Sequence, residues 1–178
     1  PQDTCKGIGI VVANPEFSDV LSLEGVAATK NPSVPIFGVP TTAGTASETT
    51  INYVITDTKN KRKFVAVDPH DIPVVAFVDP DLTDGMPRGL KVATGLDALT
   101  HAIESVITPG AWNLSDALSM QTIRMIAQNL AKSVEGDKDA GEQMAYASYI
   151  TGMSYSNVGL GLVHGMAHPL GGRLGVAH

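Results

Sequence analysis

The sequence predicts two successive portions, an α/β portion over residues 1–86 and an all-helical portion over residues 87–178. Two observations carry that division. Ahead of Met86-Pro87 the apolar residues fall in short runs broken by Pro, Gly, Asp and Asn. Beyond it they recur at helical spacing over long stretches. Such a change of period at a proline marks a change of architecture. No internal repeat or low-complexity tract is visible.

Taken in order, residues 3–13 read as a helix that opens on the acidic Asp3 and closes at Asn14-Pro15. Residues 34–39 form a short apolar, Pro-bounded strand that runs into the turn-forming stretch 40–45. Residues 51–56 and 63–67 read as two strands joined across the polar turn 57–62, the second rich in aromatic and β-branched residues through Phe64, Val65 and Val67. The apolar run 74–78, ending in Asp79-Pro80, has the character of a buried strand with a functional loop at its C-terminal end. Residues 90–107 then carry apolar side chains at helical spacing around Asp97 and His101, until Pro109-Gly110 ends the helix. Residues 114–134 make a second long helix, with Asp116 near its start and Gly136 just past its end. Residues 139–158 make a third, whose small residues Ala140, Gly141, Ala145, Ala147, Ser148, Gly152, Ser154 and Ser156 allow close helix approach.

Composition narrows the function classes. A hydrophobic content of 43% with 17% charged residues belongs to a globular protein with a sizeable core. The net charge of −6 argues against nucleic acid or an anionic membrane as partner, because the basic residues Lys59, Lys61, Arg62 and Lys63 form only a short run in a turn. One cysteine permits no internal disulfide, and PQDTCKG lacks the pattern of a secretion signal, so a cytoplasmic location is expected. With no initiator Met, and with His178 as the last residue, the chain is expected to be an internal part of a longer protein.

The chemistry concentrates in histidine. Three of the five, His164, His168 and His178, fall within the stretch GLVHGMAHPLGGRLGVAH, and Asp97 precedes His101 by one helical turn. His164 and His168 repeat that four-residue spacing. One carboxylate with several imidazoles suits Fe(II), Zn(II), Mn(II) or Co(II), and the only cysteine, Cys5, lies far away in sequence, which excludes a thiolate site. A purely structural account would have to find partners for several rings in an apolar neighbourhood. A divalent metal site is the better reading. Residues 40–48 pack three threonines, a serine and a glycine after a strand, a composition suited to phosphate oxygens and equally to an ordinary turn.

Four segments, TTAGTASE (41–48), VDPDLTDGMP (78–87), GLDALTHAIES (95–105) and HGMAHPLGG (164–172), resemble in order and spacing the iron-containing (group III) alcohol dehydrogenases. The likeness extends over essentially the whole chain. It implies a dehydroquinate synthase-like architecture: an α/β dinucleotide-binding domain followed by a helical metal-binding domain, truncated here at both ends. It implies Asp97, His101, His164 and His178 as ligands of Fe(2+), with Zn(2+) as a substitute, and His168 beside the nicotinamide as a catalytic residue. It further implies that NAD contacts Asp3, Thr41, Thr42, Thr45, Asn52, Lys63 and Leu82. The family commonly has glycine where Ala46 stands, a change that matters only if the position needs a positive φ. The implied activity is hydride transfer between NAD(H) and a small alcohol or aldehyde, foremost lactaldehyde and propane-1,2-diol, by a homodimer. Ethanol, butanol or propane-1,3-diol as substrate, and a non-redox metal-dependent hydrolase, are the alternatives.

Overall fold

The computed structural model describes residues 1–26, 29–176 and 178. Its elements are, in chain order, α1 (Gln2–Ala13), β1 (Gly25–Val26), β2 (Phe37–Gly38), β3 (Asn52–Asp57), β4 (Arg62–Val67), β5 (Val75–Ala76), α2 (Asp81–Asp84), α3 (Arg88–Ile107), α4 (Asn113–Val134), α5 (Lys138–Val158) and α6 (Leu162–Leu174), with four short 3₁₀ turns between them. By packing they divide into two units. One comprises Pro1–Gly38, Ser47–Ala76 and Met166–His178, the other Val39–Ala46 and Phe77–Gly165. This packing division differs from the cut expected at residue 86, because a change of helical period reports where strands stop and not which segments pack together.

In the α/β unit, β4 is the middle strand of a three-stranded sheet, parallel to β1 and antiparallel to β3. Asp57 stands opposite Arg62, and its carboxylate accepts hydrogen bonds from Asn60 N–H at 3.0 Å and Asn60 Nδ2 at 2.7 Å, which closes the hairpin. Helix α1 lies on this sheet: Ile10 is fully buried with Leu23, Tyr53 and Ala66. Burying an aliphatic side chain the size of Ile10 or Leu23 stabilises the unit by roughly 1.5–3 kcal/mol. Beneath α1, Lys6 is wholly buried and donates to the Thr50 carbonyl at 2.6 Å and the Asn52 carbonyl at 3.0 Å.

A second sheet has only β2 and β5, paired parallel. Here the expectation of a buried strand over 74–78 fails: Val74, Val75 and Phe77 are all exposed. An apolar run becomes a buried strand only when both its faces are covered, and among the described residues β5 has β2 alone beside it. The strand expected over 34–39 likewise reduces to Phe37–Gly38.

The helical unit follows its sequence signals closely. Pro87 precedes the first residue of α3, and the helix ends at Thr108, which is extended (ψ 146°) as the residue before Pro109 must be. Asp137 caps α5 by accepting from Ala140 N–H at 2.9 Å. Ala98, Ile126, Met144 and Ala147 form the core between α3, α4 and α5, together with Ala43 from the loop 39–46. The small residues of α5 serve packing: Ser154 Oγ lies 2.7 Å from Ser119 Oγ of α4 and donates to the Ser115 carbonyl at 3.0 Å. No helix among the described residues is long and apolar enough to cross a membrane.

Candidate metal centre

Helix α3 places Asp97, His101 and Glu104 at i, i+4 and i+7, so all three project from one face. His164 arrives from the first turn of α6. Asp97 Oδ1 lies 3.4 Å from His164 Nε2 and 3.7 Å from His101 Nδ1. The two imidazoles are stacked, with centroids 4.3 Å apart and planes 23° from parallel. His101 is 4% exposed and His164 6%. These three of the four ligands expected from the sequence therefore converge within one unit, both imidazoles buried and Asp97 partly so.

The donor set fits a divalent ion. Ligand bonds of about 2.0–2.2 Å at tetrahedral or right angles put neighbouring donor atoms about 3–3.6 Å apart. The Asp97–His164 separation of 3.4 Å falls in that range, and the Asp97–His101 separation of 3.7 Å lies just beyond it. One carboxylate oxygen and imidazole nitrogens are also the ligand types that iron(II) and zinc(II) share.

The sequence reading passed over Glu104. It is 2% exposed, yet its carboxylate is fully engaged: Oε2 lies 2.6 Å from His164 Nδ1 and accepts from Gly161 N–H at 3.0 Å, while Oε1 accepts from Val163 N–H at 2.7 Å. Burial alone would raise its pKa, but the bonds from His164, Gly161 and Val163 outweigh that and hold the carboxyl below its ordinary value. For His164, burial opposes the charged ring, and the flanking carboxylates of Asp97 and Glu104 overcome it, so the imidazole titrates above its usual value. The signal was present in the sequence as a third polar residue seven positions after Asp97 on an otherwise apolar helix face.

Tyr155 of α5 closes the other side. Its ring stacks on His101 with centroids 4.3 Å apart and planes 9° from parallel, and its hydroxyl donates to the Thr45 carbonyl at 2.5 Å. The threonine-rich loop is seated on α3 at Gly44, where a Cβ would come within 2.7 Å of Thr94 Cβ and 2.8 Å of the Thr94 carbonyl oxygen, so only glycine fits. Two residues later Ala46 has φ +52°, in the left-handed region, and is buried. The position where the resembled family commonly has glycine does need a positive φ, and an alanine occupies it.

The remaining predicted residues fall as follows. In the helical unit, Thr41, Thr45 and Leu82 are exposed and Thr42 is half-buried. In the α/β unit, Asn52 begins β3 and Lys63 lies in β4, where the backbone at Arg62 and Lys63 runs against Gly172. Asp3 is already bound: Oδ1 accepts from Ser47 Oγ at 2.5 Å and Oδ2 from Val54 N–H at 2.9 Å, so it ties α1 to β3 and to the turn after the loop. His168, half-buried, meets the exposed His178 edge-on, with centroids 4.9 Å apart.

Comparison with known proteins identifies the family. Residues 1–80 match the family described as iron-containing alcohol dehydrogenase, and residues 91–178 match the Fe-containing alcohol dehydrogenase family, C-terminal. Lactaldehyde reductase of Escherichia coli (strain K12) is 66% identical over 178 residues, all of this chain and 47% of that protein. The crystal structure of 1,3-propanediol oxidoreductase is similar with a TM-score of 0.93 and 46% identity, covering 99% of this chain and 46% of that one. Sulfoacetaldehyde reductase from Bifidobacterium kashiwanohense, solved in complex with NAD+, is similar with a TM-score of 0.90 and 29% identity, covering 99% and 47%. The chain thus spans about half the length of the relatives it matches.

Proposed function

Because the chain belongs to the iron-containing alcohol dehydrogenase family, we propose that it serves a metal-dependent hydride transfer between NAD(H) and a small alcohol or aldehyde, with lactaldehyde and propane-1,2-diol as the pair. The observation that carries this is the convergence of Asp97 with the buried His101 and His164. The 66% identity to a lactaldehyde reductase supports the substrate, and the NAD+ complex of a structural relative supports the cofactor.

Asp97, His101 and His164 hold the ion, iron(II) in turnover and zinc(II) as a substitute; His178 completes the set on the strength of the sequence resemblance. When bound, the ion supplies a Lewis acid that polarises the carbonyl oxygen of the substrate. His168 would supply the proton to the substrate oxygen, and bound NADH would supply the hydride, so that aldehyde, NADH and a proton would give alcohol and NAD+. Thr41, Thr42, Thr45, Asn52, Lys63 and Leu82 bind the dinucleotide, and Asp3 supports it through its bonds to Ser47 and Val54. A cytoplasmic homodimer is the expected working form.

The test is the fall of NADH absorbance with lactaldehyde, propanal, butanal and 3-hydroxypropanal, after loading with iron(II), zinc(II) or cobalt(II). Preference for lactaldehyde with any of these ions supports the assignment. Turnover of another aldehyde would move the substrate within the family. Absence of NADH binding together with metal-dependent ester or amide hydrolysis would replace the redox reading.

A further inference from the structure

Every group that faces the Glu104 carboxylate at hydrogen-bond distance is a donor, or becomes one: Gly161 N–H, Val163 N–H and His164 Nδ1. A carboxylate in such surroundings is an acceptor only. The proton of the neutral His164 ring must then sit on Nδ1, and the Nε2 lone pair is turned toward Asp97 Oδ1, 3.4 Å away. The same bonds fix the ring's position, because Gly161 and Val163 hold the carboxylate from the chain immediately before His164. Gly161 has its own part here. A Cβ at that position would lie 3.0 Å from Glu104 Oε1 and 3.3 Å from Cδ, so the absence of a side chain lets the carboxylate come this close.

We infer that Glu104 is a positioning residue of the metal centre, which sets the tautomer and orientation of His164 without itself supplying a ligand. The inference rests on the reading of Asp97, His101 and His164 as that centre. An amide cannot replace this carboxylate. With its NH2 toward Gly161 it opposes a backbone N–H and forces the His164 proton onto Nε2; with its NH2 toward Val163 it opposes the other N–H. In the first orientation the ring loses its Nε2 lone pair; in the second Val163 N–H loses its acceptor, and one of the two backbone bonds that hold the group beneath the ring is gone.

The test uses the metal-stripped full chain and zinc(II) alone as the probe, with affinity read by competition against a coloured chelator. Glu104→Gln is expected to raise the zinc dissociation constant about 10–100-fold, the range for carboxylates behind a histidine ligand. Nitrogen-15 shifts of the His164 ring, read without metal at a pH high enough for the ring to be neutral, should move from the Nδ1–H to the Nε2–H pattern or to a mixture. Gly161→Ala keeps the charge and displaces the carboxylate by a few tenths of an ångström, so it should weaken zinc in the same direction and less. A role confined to tying α3 to α6 would lower the melting temperature and leave the ring tautomer of the folded protein unchanged. Glu104→Gln with wild-type zinc affinity and an unchanged His164 tautomer overturns the inference, provided that His101→Ala loses zinc. If Glu104→Gln does not fold, wild-type zinc affinity in Gly161→Ala overturns it. A wild-type chain that binds no zinc removes the metal centre itself, and the inference with it.

Discussion

Ala46 offers a measurement of backbone strain with an internal control three residues away. Ala46 and Ala43 lie in one loop, both 3% exposed or less, yet Ala46 alone of the two has a positive φ, +52°. Replacing either by glycine removes one buried methyl, about 0.8 kcal/mol, and adds unfolded-state freedom, about 0.4–1 kcal/mol. Ala43→Gly should therefore destabilise by about 1.2–1.8 kcal/mol. At Ala46 the same losses are offset by release from the left-handed conformation, roughly 1–2 kcal/mol for a residue with a Cβ. Ala46→Gly should be close to neutral. Urea unfolding of the two variants and the parent measures the difference, which corresponds to about 2–4 °C of melting temperature per kcal/mol at this chain length. Equal losses at the two positions would refute the claim that the backbone at Ala46 is strained.

Tyr155→Phe removes the donor to the Thr45 carbonyl and keeps the ring stacked on His101; it should cost about 1 kcal/mol of stability and leave zinc affinity unchanged, and loss of zinc would show that the phenol acts on the centre directly. His168→Ala should retain about one metal per subunit while aldehyde reduction slows by roughly tenfold or more, whereas His164→Ala should lose the metal; equal loss from both would make His168 a ligand. Burial pushes the Asp71 carboxyl up to about 7 against the pull of Lys6, so between roughly pH 4 and 7 the folded chain holds a proton that the unfolded chain releases, and stability should fall as pH rises through that window. Asp71→Asn should flatten this slope in urea midpoints taken at intervals across it, and an unchanged slope would assign the effect elsewhere.

The helices were legible because their signals are local: Pro87, Pro109, the Asp137 cap and a long apolar period place α3 to α5 within two residues of the sequence reading. The Asp97–His101 pair was legible for the same reason, as one turn of a helix is a local measure. Glu104 left only its position seven residues after Asp97 as a local trace, because its partners Gly161, Val163 and His164 lie 57 to 60 residues away, and a glutamate on a long helix looks like a solvated charge until its burial is known. The exposure of Val74, Val75 and Phe77 was hidden by the opposite fault: an apolar run records what a strand is suited to, and neighbours decide whether it is covered. Ala46 stands between these cases. Its sequence posed the question of a positive φ, and only the backbone could answer it.

The loop 39–46 has a bearing on how this architecture can be rearranged. Ala43 fills part of the core that α3, α4 and α5 enclose, and Gly44 is pressed to the backbone of Thr94. The helical unit is therefore written in two places along the gene, eight residues in one and the remainder in the other. A single recombination crossover, whether at residue 77 or at residue 87, transfers the helices and leaves behind the octapeptide that plugs them. Chimeras that exchange the helical unit would need to carry residues 39–46 from the same parent, or receive them as a separate synthetic peptide.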